Sequence, residues 1–230
     1  IAFLSVQIPR NVIDEKFNEY FDTRYQFRID NDYVEEHLTG FESIEYSLGA
    51  GESGGISNPQ YLKKLEEFAT WYRKQPGVMY VGTLTDTMKR LNKNMHGDDE
   101  SYYRLPEERD LSAQYLLLYE LSLPFGLDLN NQINIDKSST RFTAILESVS
   151  TDHALNLERR AQKWLKANAP PEMISHGASP LIMFSHIAMR NIESMITGTA
   201  LALLLISAIL IAVLRSFKLG LISTIPNLVP

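Results

Sequence analysis

Residues 195–214 read MITGTALALLLISAILIAVL, twenty positions with no charge and no proline. As an α-helix they would extend about 30 Å, the thickness of the hydrocarbon core of a bilayer. A helix satisfies its own backbone hydrogen bonds, which lipid requires because it offers no water in their place. The alternative is the core helix of a soluble protein, but such a helix is usually shorter and keeps a polar stripe. The run is therefore read as a transmembrane helix, and the remaining sequence is placed relative to it.

The flanks give an orientation. Arg215 and Lys218 follow the run with no acid near them, whereas Arg190 on the other side is balanced by Glu193. The excess of positive charge puts residues 215–218 in the cytoplasm and the long polar region before the run outside it. Just upstream, residues 179–194 (SPLIMFSHIAMRNIES) carry Ile182, Met183, Ile187, Met189 and Ile192 and are expected to lead into the bilayer as one unbroken helix, with 181–214 as connecting and membrane helix together. Within the run, Gly198 with Ala202 and Ala208 with Ala212 are small residues at the spacing that lets a neighbouring helix approach closely. Residues 1–9 (IAFLSVQIP) read as the outer end of a preceding transmembrane helix, with an edge strand as the alternative. Residues 215–230 read as a cytoplasmic turn and the start of a further membrane helix.

Composition bounds the function. Residues 10–180 are long enough for a domain with its own core. The net charge is −6 and no basic stripe exists to neutralise phosphates, so nucleic acid is not an expected partner. With no cysteine, disulfides and thiolate metal sites are excluded.

Inside the domain, FRIDNDYVEEHLTG places Tyr33, Val34 and Leu38 at helical spacing, with Thr39-Gly40 as a stop. Ile44 to Leu48 alternates apolar and polar and reads as a strand. After the loop GAGESGG, Asn58-Pro59 is an N-cap followed by proline in the first turn. Leu62, Leu65, Phe68, Ala69 and Tyr72 then share one helical face. Gln75-Pro76-Gly77 ends that helix, and Val78 to Val81 is the return strand, closing a β-α-β unit at 43–83. A helical insert is expected at 85–123. Its first helix turns Met88, Leu91 and Met95 to one side; its second has Leu111, Tyr115, Leu118 and Ser122 on one face, thickened by Leu116, Leu117 and Tyr119. A second β-α-β unit is expected at 132–178. NQINID and TRFTAILE form one strand broken by a turn, or a hairpin. Thr151-Asp152 caps a helix that buries Ala154, Leu157, Ala161, Trp164 and Leu165; Pro170-Pro171 ends it, and Met173-Ile174-Ser175 is a short last strand. The expected class is α+β: a ferredoxin-like split β-α-β domain with a helical insert, followed by a transmembrane helix.

Chemical motifs are sparse. Gly49, Gly51, Gly54 and Gly55 are not followed by GK[ST] and do not match the dinucleotide fingerprint, so the segment reads as a loop. His37, His96, His153, His176 and His186 have no metal-ligand spacing. No GxSxG is present, and Glu35-Glu36, Glu66-Glu67 and Asp98-Asp99 are sequence neighbours that point apart on a helix. The membrane run has no ionisable residue. No enzyme activity, cofactor or metal is expected. What remains is apolar surface: Leu116, Leu117, Tyr119 and Leu121, running on through Leu123 to Pro124-Phe125-Gly126, are more apolar than one core-facing stripe needs. They could line a path for a hydrophobic substrate, or the helix could pack between subdomains or sit deep in the core.

With these segments in order, the chain resembles the resistance-nodulation-division (RND) superfamily, and within it the MMPL-like hydrophobe/amphiphile efflux branch. The resemblance is carried by NPQYL (58–62), WYRKQPGV (71–78), DTMKRLNKNMH (86–96), AQYLLLYELSLPFGLDL (113–129), RNIESMITGT (190–199) and the exit LRSFKLGLISTIPNLVP (214–230). It implies the first periplasmic porter domain and second transmembrane helix of a multi-pass protein of the bacterial inner membrane. Such proteins export hydrophobic or amphiphilic molecules, drugs or lipids such as sterols and hopanoids, using the proton gradient. The implied partners are the bilayer, the cargo, the remaining transmembrane helices of the same chain and, in some arrangements, further copies of it. The family's proton-relay acids lie on its fourth membrane helix, and no residue here matches them. Two other classes stay open: a sterol- or lipid-sensing membrane protein that binds without pumping, and a membrane-anchored assembly domain.

Overall fold

Alternation of side chains builds the sheet. In β1 (Glu42–Gly49) Ile44, Tyr46 and Leu48 point inward, and in β3 (Ser139–Leu146) Thr140, Phe142, Ala144 and Leu146 do the same. The two strands are antiparallel, with Ile44 opposite Ala144, Tyr46 opposite Phe142 and Leu48 opposite Thr140. On its other side β3 pairs antiparallel with β2 (Val78–Gly82), where Val81 lies opposite Ala144 and a bulge falls between Val78 and Tyr80. The spatial order is β1-β3-β2, so β1 and β2 run parallel with β3 between them. A slip of one residue would turn every inward side chain to the other face, which fixes this register.

These observations come from a computed structural model that describes residues 20–124 and 129–218. The expected membrane segments at 1–9 and 219–230 lie outside the described residues. The chain divides into two compact units, residues 14–183 and a second that carries residues 184–230.

Two helices cover the inward face of the sheet. Helix α2 (Pro59–Tyr72) follows β1, and Asn58 caps it by accepting a hydrogen bond from the Gln60 amide at 2.9 Å. Its Leu62, Leu65, Phe68, Ala69 and Tyr72 are fully buried, the five positions that the spacing predicts for one face. Helix α5 (Thr151–Asn168) follows β3 and buries Ala154, Leu157, Ala161 and Leu165, while Trp164 is half-buried. Between the layers Phe68 sits 4.8 Å from Phe142 and 5.2 Å from Trp164, ring centre to ring centre. Each large apolar side chain buried here contributes on the order of 1.5–3 kcal/mol. Three polar groups enter this core with partners. The Tyr46 and Tyr72 hydroxyls lie 3.3 Å apart, and the Tyr61 hydroxyl donates to the Leu48 carbonyl at 2.9 Å.

The remaining helices are α1 (Gln26–His37), none of whose residues is buried, α3 (Leu84–Met95) and α4 (Arg109–Ser122). The last two form the helical insert between β2 and β3. Helix α6 (Pro180–Leu214) is unbroken over 35 residues, and Arg215 leaves it in a left-handed conformation, φ 44°.

Three expectations need correction. Met173-Ile174-Ser175 is not a strand: residues 171–173 form a 3-10 turn that Pro171 starts, because proline fixes φ near the helical value and donates no ladder hydrogen bond. The chain reaches β1 only later, where Ala178 and Glu45 form an isolated antiparallel bridge. Gly177 comes so close to β1 there that a Cβ would lie 2.8 Å from Ile44 Cγ2. Second, NQINID contributes a single bridge, Ile133 to Thr140, rather than a strand. Third, Ser150 rather than Thr151 caps α5, its Oγ accepting from the His153 amide at 3.3 Å.

Candidate functional site

Helix α4 carries the apolar surface singled out in the sequence, and the structure separates its members. Leu116 is 1% exposed and belongs to the core with Tyr115; Tyr119 is half-buried against that core. Leu117 and Leu121 are 52% and 75% exposed, and Leu118 is exposed beside them. At 100° per residue Leu116 and Tyr119 lie 60° apart, while Leu117 and Leu121, 40° apart, project from a different side. The four residues therefore do not line one surface. The inner face is Ser112, Tyr115 and Leu116 rather than Leu111, Tyr115, Leu118 and Ser122, since Leu118 and Ser122 are exposed. Leu117, Leu118 and Leu121 form an exposed leucine patch. The expected continuation through 125–126 falls outside the described residues.

Helices α2 and α5 occupy one side of the sheet, and the outward residues of its strands define the other. There the outward residues of β2 and β3 meet α3 and the chain at 131–132 around a cleft of about 300 Å³. A second cleft, of about 640 Å³, lies over β1 and β3 beside Glu45, Ser47, Arg141 and His176. Arg141 is shared between the two, pairing with the Glu45 carboxylate and donating to the Asn131 carbonyl at 3.4 Å. The outward positions of TRFTAILE, Arg141 and Thr143, follow from strand alternation; the α3 residues that join them do not follow from any local pattern.

One ionic cluster clamps α2 to α3. Glu66 accepts from Thr85 Oγ1 at 2.5 Å and from Lys89 Nζ at 2.9 Å, while Asp86 receives Arg73 at 2.8 Å and Lys89 at 3.3 Å. Burial alone would raise the Glu66 pKa, but the Thr85 and Lys89 hydrogen bonds, with the charges of Lys89 and Arg73, outweigh it and hold the carboxyl below its ordinary value. For Lys89 burial acts downward and is overcome by its bonds to and the charges of Glu66 and Asp86, so its pKa is raised. Every charge in the cluster has an opposite partner, and it is structural.

Helix α6 has the length and apolar character to cross a bilayer, the one such helix among the described residues. Leu201, Leu204, Leu205, Ile209 and Val213 are all exposed. Its polar Ser207 hydroxyl donates to the Leu203 carbonyl at 2.7 Å within the helix. A Cβ at Gly198 would meet no atom of the described residues within 4 Å.

Among the described residues no three His, Cys, Asp or Glu side chains are grouped to hold a metal ion. The histidines have local contacts instead. His96 stacks on Tyr102 and its Nδ1 lies 2.7 Å from the Asn92 carbonyl, and His153 Nε2 lies 3.0 Å from that of Pro76. Comparison of the chain with protein-family models finds no match, and comparison with curated proteins finds none either.

Proposed function

We propose that these residues are the first extracytoplasmic porter domain and the second transmembrane helix of a proton-driven exporter. On this reading it is an MMPL-like member of the RND superfamily, in a bacterial inner membrane, that exports hydrophobic or amphiphilic molecules. The domain is read as ferredoxin-like. If the bridge at Ala178 is a vestigial fourth strand, the order becomes 4-1-3-2 with two helices on one face, a split β-α-β arrangement. The observation that carries the reading is this sheet order in one chain with an apolar helix of membrane length, bearing the motif set from NPQYL to RNIESMITGT. The exposed Leu117, Leu118 and Leu121 supply apolar surface for cargo. That same patch favours a second reading, a lipid- or sterol-sensing membrane protein that binds without pumping. The two differ in their need for intramembrane acids, which a proton-driven pump requires and a sensor does not. The test is retention of a labelled hydrophobic compound by cells making the complete protein, with and without a protonophore. Retention that rises when the gradient collapses supports export; retention independent of the gradient, with binding intact, supports the sensor.

A further inference from the structure

The 300 Å³ cleft on the outward side of the sheet gathers donors from four segments of chain. Tyr80, Arg141 and Thr143 come from β2 and β3, Thr87 and Arg90 from α3, and Gln132 from the chain before β3. Its charge can be counted. Asp86, the one acid lining the cleft among the described residues, belongs to the cluster in which Glu66 and Asp86 are balanced by Arg73 and Lys89. Arg141 is balanced by Glu45. Arg90 is exposed and makes no ion pair among the described residues, so the cleft keeps one uncompensated positive charge in a chain of net charge −6. The Thr87, Thr143 and Tyr80 hydroxyls and the Gln132 amide likewise make no side-chain hydrogen bond to another described residue.

A guanidinium offers several N–H groups in one plane, and hydroxyls and an amide add donors from other directions. Planar carboxylates are satisfied by one guanidinium edge, whereas a tetrahedral oxyanion presents oxygens to every side and uses donors that converge from several elements. At about 300 Å³ the space is at the small end for ligand pockets and fits a phosphate group with a short ester, not an acyl chain. We infer that this cleft binds a phosphate group, presented as a soluble phosphate monoester or as the headgroup of an anionic lipid. The inference does not rest on the export reading, and binding here would stand if export failed.

The test is calorimetric titration of glycerol 3-phosphate into the complete protein in a neutral detergent, against sodium chloride at matched ionic strength. Saturable binding is expected, weakened at least tenfold by Arg90→Gln, a change at an exposed position that should leave thermal unfolding unaltered. Thr143→Val should weaken binding severalfold through loss of one donor. Doping the micelles with phosphatidic acid distinguishes the sources. Competition by this lipid but not by phosphatidylcholine assigns the site to a headgroup; saturable binding without competition assigns it to a soluble ester. No saturable heat above the chloride control, or equal affinity in Arg90→Gln, overturns the inference.

Discussion

Glu66 shows how one side chain ties local electrostatics to the stability of the domain. Its carboxyl is held below the ordinary value of 4.5 by Thr85 and Lys89, against the effect of burial. A depressed carboxyl pKa contributes stability that is fully present above the unfolded value and lost as pH falls through the folded one. Lys89, raised from 10.5, contributes stability that is present below its unfolded value and lost as pH rises through the folded one. The clamp therefore works across the neutral range and fails first in acid. Glu66→Gln should lower stability at pH 7 by about 1.5–3 kcal/mol, the usual worth of hydrogen bonds to a charged group. The variant should also lose less than the wild type between pH 5 and pH 3. Urea unfolding at the three pH values measures both effects, and an unchanged pH profile would remove Glu66 from this role.

Helix α4 makes a prediction that sequence spacing could not make. Leu116→Ala should cost about 2–5 kcal/mol because it opens a cavity in the core. Leu117→Asn with Leu121→Asn should change stability by no more than about 0.5 kcal/mol per site, since both side chains are exposed. A fall in export with the fold intact would place the leucine patch on the cargo path; normal export in that stable double variant would take it off. In α6, a Cβ at Gly198 meets no described atom within 4 Å, so Gly198→Leu tests for a neighbour in the membrane. Impaired assembly or activity in that variant, read with unchanged unfolding of the soluble unit, would report a partner helix in the membrane. The helices α2 and α5 were legible because their faces repeat within a few turns, Leu62 to Tyr72 and Ala154 to Leu165. The face of α4 was not, because apolar residues at 115–119 and 121 fit several stripes equally, and only contact with the core chooses among them. Met173-Ile174-Ser175 is too short a run to outweigh the Pro170-Pro171 pair before it, and so forms no strand.

At the scale of the whole molecule, the mixed α+β class and the long apolar helix were legible, since each rests on patterns within one segment. The register was not, because β3 pairs with β1 and β2 through contacts distant in sequence that join Glu42 to Leu146 and Val78 to the same residue. The cleft at Arg90 was hidden for the same reason, being assembled from α3, the sheet and the chain at 132. The central claim is that α6 crosses a bilayer and holds the α+β unit outside the cytoplasm. These 230 residues contain no cysteine, so within them an introduced thiol reports its own side of the membrane. The direct measurement is labelling of Ser101→Cys and Ser216→Cys by a membrane-impermeant maleimide, each in the complete protein cleared of any other cysteine, in inner-membrane vesicles of native orientation. The account predicts labelling at 101 in intact inner-membrane vesicles of native orientation, and at 216 only after detergent. Labelling at 216 without detergent, or protection at 101, would contradict it.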